Sequence, residues 1–401
     1  MNVAKKTLKI FHTSDIHGHF LSVDYARKGK TDGGIARVAS FLKEHRNDGD
    51  LYIDTGDVIQ GNALAYYLSK DPQKNHPFAN VLNHLQCDYL TLGNHDFNFG
   101  KPLLESFTDT FQGTVLNANV LEKDAPFTGA SHAVKVLPGG RKMGIIGVTT
   151  HYIPNWENPS HIENLVFNDA FESVKSKVAH LRNQVDLLVV NYHGGFEGDL
   201  KTGERASLTG ENQGLKMLEE IEGIDILLTG HQHQTLYEKI GDTFISQPGM
   251  NALGINVINI PLEEPFDSTQ ITGEHISMKD TPEDEAIIGL LKDVETSTQA
   301  YLDQPIGTFD QAYKIEDGLA ARQFKHPLVT WINHVQLRAS GADIALCGLG
   351  NDVTGFNQAV TLRDILATYV YPNLLVIKEL SGQILKEALE KTAAFFTLKE
   401  G

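Results

Sequence analysis

The stretch Tyr89-Leu90-Thr91-Leu92-Gly93-Asn94-His95-Asp96-Phe97-Asn98 decides how this chain is read. Its first four residues are apolar or β-branched, which suits a short strand buried on both faces. The glycine permits a sharp turn. Three polar side chains follow at once, each with an atom that can bind a metal ion or move a proton. A buried strand that runs straight into such donors is the usual way an open α/β sheet builds a site, because ligands sit outside the carboxyl ends of the strands.

The same pattern occurs four more times. Leu8–Phe11 precedes Asp15-Ile16-His17, and Leu51–Ile53 precedes Gly56-Asp57. Val185–Asn191 precedes His193-Gly194-Gly195, and Ile224–Thr229 precedes Gly230-His231-Gln232-His233. Met143–Val148 reads as a further buried strand, and Ile35–His45 and Ala170–Gln184 read as amphipathic helices between strands. Strand and helix in alternation predict an α/β layered domain. Parallel strands would carry all five clusters to one edge. Any one cluster is weak, since the chain holds 17 histidines and a lone Gly-Asp is commonly a turn. Five in this order point to a site. Its Asp, His and Asn donors suit Mn, Zn, Fe or Co rather than Ca or a thiolate-type zinc site.

Composition narrows the partners. The 401 residues suggest two domains, and 34 basic against 51 acidic side chains leave a formal charge of −17. Such a surface repels a nucleic-acid polymer but tolerates a small anionic substrate beside bound cations. No apolar run reaches the length of a membrane span. No signal peptide is visible, so a cytoplasmic location is expected unless a leader has been trimmed. Cys87 and Cys347 lie far apart, outside any metal-type spacing. Both are expected to be buried, small apolar residues.

The texture changes near Ile260. Residues 261–304 read as a linker carrying a bridging helix, with Thr281 as cap, Pro282 at the first helical position and the end near Leu302. Residues 305–401 read as a second, smaller domain with apolar runs at 342–347 and 374–377.

The ordered clusters resemble the calcineurin-like metallophosphoesterase superfamily. More closely they resemble the 5′-nucleotidase family, which includes UDP-sugar hydrolases and 2′,3′-cyclic-nucleotide 2′-phosphodiesterases. The resemblance covers roughly residues 8–255 and again the segment from about 305. It implies a four-layer α-β-β-α sandwich over residues 1–260, followed by a partial α/β C-terminal nucleotidase domain. It also implies two divalent metal ions. Asp15, His17 and His233 would bind the first, Asn94, His193 and His231 the second, and Asp57 would bridge them. A metal-bound hydroxide would attack phosphorus and a ribose oxygen would leave; paired cations roughly 3.5–4 Å apart suit that displacement. His95 would contact the phosphate in the transition state, or else only orient Asn94.

Three departures bear on substrate. Asn98 stands where many family 5′-nucleotidases carry an Asp beside the catalytic His, and an amide orients an imidazole without a carboxylate's charge. The Gly-rich stretch 347–352 has no Arg, and Tyr369-Val370-Tyr371-Pro372-Asn373 resembles the cyclic-phosphodiesterase branch. Tyr369 and Tyr371 would offer a stacking face for a base, or simply pack in a core. Asn351 would contact substrate or serve as a turn residue, and Asp96 is expected to be structural. The expectation is hydrolysis of 2′,3′-cyclic nucleotides and 3′-nucleotides. The alternatives are a 5′-nucleotidase or UDP-sugar hydrolase, a phosphoesterase for a non-nucleotide ester, and a non-catalytic binding protein. The family's second domain normally continues further, so an incomplete domain is expected here.

Overall fold

The structure is a computed structural model that describes residues 7–71, 74–206, 209–263, 265–350, 353–368 and 375–394. The chain divides into two compact units, with the boundary between Gln304 and Pro305.

The first unit holds two six-stranded sheets. In the first sheet Thr7–Thr13, Leu51–Asp54, Tyr89–Thr91 and Thr114–Leu116 run parallel in that order. Gly254–Pro261 and Thr272–Ser277 extend the other edge antiparallel. In the second sheet Lys142–Thr149, Leu187–His193, Ile226–Thr229 and Thr243–Pro248 run parallel. His132–Val136 and Thr235–Ile240 close its two edges antiparallel. The five clusters singled out in the sequence are therefore shared between two sheets, three on the first and two on the second, rather than strung along one.

Alternation along the strands explains how the sheets face each other. Leu8, Ile10, Leu51, Ile53, Leu187, Val189, Ile226 and Leu228 belong to one buried cluster between them. Two residues on from Ile10, Ile53 and Val189 come His12, Thr55 and Asn191, fully buried and polar. The inner layer thus changes from apolar to polar as the strands approach their carboxyl ends. His12 bonds to Ser246 Oγ at 2.8 Å and to Thr55 Oγ1 at 2.6 Å. Thr55 Oγ1 donates to Asn191 Oδ1 at 2.6 Å, and Asn191 Nδ2 donates to the Asp54 carbonyl at 3.0 Å. The bonds to Ser246 and Asn191 cross from one sheet to the other.

Residues of opposite parity face helices. Leu188, Val190 and Tyr192 pack with Phe171, Val174 and Val178 of the helix Ala170–Leu181. On the first sheet Phe11 meets Phe41 of the helix Ile35–His45, ring centroids 6.2 Å apart. Helix, sheet, sheet and helix make the four layers that the resemblance implied.

Residues 261–304 are not a linker. Thr272–Ser277 is an edge strand of the first sheet, and the helix Glu285–Leu302 lies on the first unit. It buries Ile287, Leu291 and Leu302, and its Glu295 accepts from Tyr25 Oη at 2.6 Å. The cap is Asp284 rather than Thr281. The Asp284 carboxylate accepts from the amides of Ala286 and Ile287, its own N–H bonds to the Ala36 carbonyl, and its backbone is extended.

The second unit packs Leu328 and Ile332 of the helix Pro327–Ser340 against Ile315, Phe356 and Val360. Residues 342–347, and 375–377 of the second apolar run, take no regular structure. Ile344, Leu346, Leu375, Val376 and Ile377 are exposed. Cys87 is buried, whereas Cys347 is only half-buried; both are free thiols. Among the described residues no helix is long and apolar enough to cross a membrane.

Two histidines held inside this fold set an acid limit. Burial pushes His12 and His76 down to about 3 from the ordinary value of 6.5, with Asp15 opposing the shift at His12. Between those values the unfolded chain takes up protons that the folded chain does not, so stability falls as pH drops from 6.5 toward 3. Urea unfolding of His12→Gln should show a shallower loss of stability between about pH 7 and 4.5 than wild type. Equal slopes would contradict the buried neutral state of His12.

Candidate metal centre

The strand ends deliver their side chains through strained turns. Asp15, His17, Asp57, His231 and His233 all have positive φ, between 50° and 71°. Non-glycine residues adopt this region at a cost and only where the surroundings fix them, commonly at functional sites. Space is equally tight. A Cβ on Gly93 would lie 2.1 Å from Asp57 Oδ1, and one on Gly230 would lie 2.2 Å from Ser14 Oγ. Glycine at both places lets the backbone close on the carboxylates.

The convergent side chains form two groups. Asp15, His17 and His233 make one, and Asp57, His193 and His231 the other, with the candidate ligand atoms of each group within 4.8 Å of one another. In the first, Nε2 of His233 lies 3.4 Å and Nε2 of His17 3.8 Å from Asp15 Oδ1. In the second, Nε2 of His193 lies 3.2 Å from Asp57 Oδ2 and 3.1 Å from Asn94 Oδ1. Asp57 Oδ2 also stands 3.9 Å from His17 Nε2, so this one oxygen faces both groups.

Backbone carbonyls set the rings. Nδ1 of His17 bonds to the Gln60 carbonyl at 3.0 Å, and Nδ1 of His193 to the Thr55 carbonyl at 2.6 Å. Each bond puts a proton on Nδ1 and turns Nε2 toward the carboxylates, the orientation a metal-binding histidine requires. His231 is turned the other way, with Nε2 2.8 Å from Glu211 Oε1. The amide of His231 donates to both oxygens of Asp15, and the amide of His95 donates to Asp57 Oδ1 at 2.7 Å.

The electrostatics mark a place for positive charge. Burial pulls the Asp57 carboxyl up, but His193 and His95 outweigh it and hold it well below the ordinary range. Burial pulls His193 down, yet Asp57 and Asp15 beside it push it up to about 10. Asp57 Oδ2 is buried and makes no hydrogen bond among the described residues, with His193 Nε2 facing it at 3.2 Å. Buried polar atoms are nearly always satisfied, and an exception calls for a partner such as an ion. Oxygen and imidazole donors around an unsatisfied carboxylate oxygen fit divalent cations.

Asp96 is the clamp beneath the site. Its carboxylate accepts from the amides of Asp57, Val58, Ile59 and Gly93, all at 2.8–3.0 Å. It ties the second ligand loop to the third, which is the structural part expected of it. Burial and the neighbouring Asp57 raise its pKa to about 6.

His95 and Asn98 border a cavity of about 260 Å³ beside the second group, together with Asn94, Ile153, Trp156, Glu157 and His231. Nδ1 of His95 lies 2.7 Å from Asn98 Oδ1. The sequence reading overlooked Trp156, Glu157 and Glu211. Trp156 and Glu157 follow the strand Lys142–Thr149, whose carboxyl end reaches the same edge although no motif marks it. The strand-end rule, applied to that strand as well, would have found them; no sequence signal points to Glu211. Of the residues expected to bind substrate, Asn351, Tyr369 and Tyr371 lie outside the described residues.

Comparison with known proteins agrees with this geometry. Residues 8–235 match the model of the calcineurin-like phosphoesterases, and residues 305–399 match that of the 5′-nucleotidase C-terminal domain. The chain belongs to the calcineurin-like phosphoesterase family, whose members hydrolyse phosphate esters. It is 25% identical to a 2′,3′-cyclic-nucleotide 2′-phosphodiesterase/3′-nucleotidase of Salmonella typhimurium, across 99% of this chain and 69% of that protein. It is also 25% identical to the trifunctional nucleotide phosphoesterase YfkN of Bacillus subtilis, across 97% of this chain and 30% of that longer protein. A solved Staphylococcus aureus structure, a candidate 5′-nucleotidase, superposes with a TM-score of 0.86 at 32% identity, covering 98% of this chain and 78% of the other.

Asp96→Ala should expose how far the site depends on its clamp. Four buried amides would lose their acceptor, at a cost of about 3 kcal/mol or more. Chemical denaturation with chelator present should show that loss. Wild-type stability in the variant would contradict the clamp.

Proposed function

We propose that this chain hydrolyses nucleotide phosphate esters with two divalent cations, favouring 2′,3′-cyclic nucleotides and 3′-nucleotides. The observation that carries the reading is Asp57 Oδ2, buried, unsatisfied and facing both donor groups. Asp15, His17 and His233 would hold one cation; Asn94, His193 and His231 would hold the other, with Asp57 between them. When bound there, such cations supply an activated water and neutralise phosphoryl oxygens.

The chain's own residues do the rest. The backbone amides of His231 and His95 fix Asp15 and Asp57, so the donors are set before substrate arrives. His95 borders the cavity with one ring nitrogen committed to Asn98, and its Nε2 side would pass a proton to the leaving ribose oxygen. Trp156 and Ile153 line the apolar wall of the same cavity.

The substrate preference draws on two supports. The Salmonella relative of that name aligns along nearly the whole chain. Asn98 sits against His95 where a carboxylate would stand in many 5′-nucleotidases. Specificity for 5′-nucleotides is the second reading, favoured by the structural likeness to the Staphylococcus protein.

Phosphate release from 2′,3′-cyclic AMP, 3′-AMP and 5′-AMP with manganese, in wild type and Asn94→Ala, tests both. Turnover of the cyclic and 3′ substrates, lost in the variant, is expected. Cleavage of 5′-AMP alone would move the chain to the second reading.

A further inference from the structure

Asn98 does not end the hydrogen-bond chain that begins at His95. Its Nδ2 donates to Glu157 Oε2 at 2.6 Å. The other oxygen of Glu157 accepts from His161 Nδ1 at 2.8 Å and from the Asn158 amide at 2.7 Å. The Glu157 side chain is only 6% exposed, so water does not compete strongly for these bonds.

The order of the chain fixes its polarity. A carboxylate only accepts, so the group of Asn98 that meets Glu157 must be the NH₂. The amide oxygen is then forced toward His95, and an oxygen there only accepts. His95 must therefore carry a proton on Nδ1. With Asn98 alone the amide could turn over, and a turned amide would donate to Nδ1 and place the ring proton on Nε2 instead.

We propose that Glu157 is a positioning residue for His95: it locks the Asn98 amide so that His95 keeps its proton on Nδ1 and offers Nε2 for proton transfer to the leaving oxygen. The inference rests on the reading of His95 given above. The step balances with His95 entering as the imidazolium: the O–P bond breaks, the Nε2 proton goes to the departing alkoxide, and the neutral ring keeps Nδ1–H on Asn98 Oδ1, whereas a turned amide would set its NH₂ against that N–H. The sequence alone suggested that an amide at position 98 leaves the histidine without a carboxylate. The fold supplies one a single residue further out, from a loop 59 positions along the chain.

Glu157→Gln reverses the chain without emptying the space. Its Oε1 would keep the bonds to His161 and Asn158, so its NH₂ would face Asn98 and turn that amide over. Asn98→Asp alone would set two carboxylates against each other. The double variant restores the order: the new amide at position 157 donates to the new carboxylate at position 98, which in turn accepts from His95. A carboxylate at position 98 has no wrong way round.

The test uses the full chain with manganese and 2′,3′-cyclic AMP, against bis(4-nitrophenyl) phosphate, whose leaving group needs no proton. Glu157→Gln should lose about 10- to 100-fold in kcat on the nucleotide. It should lose less than about threefold on the nitrophenyl ester, because protonation of that leaving group does not limit the reaction. The double variant should recover most of the nucleotide activity. Nitrogen-15 NMR of the metal-free protein, at a pH where the ring is neutral, should show His95 protonated on Nδ1 in wild type and on Nε2 in Glu157→Gln, with the signal assigned by its loss in His95→Gln.

An active wild type with undiminished Glu157→Gln, or an equal loss on both esters without rescue by Asn98→Asp, would overturn the proposal. So would an unchanged His95 tautomer. A wild type that cleaves neither ester but whose tautomer does switch would overturn the assigned reaction and leave the locked amide standing.

Discussion

Two neighbouring buried carboxylates, Asp15 and Asp57, are the constraint on which the rest of the first unit turns. Both are essentially inaccessible to water. Like charges in such a place repel and lose their hydration, so the fold must surround them with donors or leave room for cations. It does both. Backbone amides of His95 and His231 reach the carboxylates from loops on different sheets. Four histidine rings stand around them, and one oxygen of Asp57 is left without a hydrogen bond among the described residues. Left-handed turns at five of the donor residues show how much local strain the arrangement holds.

The two-sheet architecture makes the convergence possible. An apolar cluster seals the sheets along most of their length. At the carboxyl ends the inward positions become His12, Thr55 and Asn191, and the bonds His12–Ser246 and Thr55–Asn191 span the gap. Those bonds fix one sheet against the other, and Thr55 also aligns His193 through its carbonyl. A shift of either sheet would therefore be felt at the donors. The link runs from period-two alternation in the sequence, through the packed interior, to the separation of the two donor groups.

Much of this was legible in the sequence. Buried strands ending in Asp, His, Asn and Gly name their own sites, because the strand-end rule is a matter of topology and needs no side-chain detail. Hence Asp15, His17, Asp57, Asn94, His193, His231 and His233 could be singled out, and the structure brings them together. That they come from two sheets could not be read from the clusters themselves, since each strand looks alike whichever sheet it joins. The stretch 261–304 misled because polar, turn-rich sequence describes an edge strand and its flanking turns as well as it describes a linker. Asp284 took the cap from Thr281 because a tertiary bond to Ala36 fixed where the helix could start. Glu157 follows a strand end that no motif marks, and its contact with Asn98, like that of Glu211 with His231, joins residues whose pairing no local pattern reports. Asn98 itself was recognised, but its meaning changed once Glu157 was seen behind it.

The central claim is that Asp57 is shared by two cations, and a direct count of bound metal tests it. Isothermal titration of the chelator-treated protein with manganese, checked by elemental analysis after dialysis, should give two ions per chain in wild type. Asp57→Asn should weaken both sites together, because one oxygen serves both groups. A single ion in wild type, or a variant that loses one site and keeps the other at full affinity, would contradict the shared carboxylate.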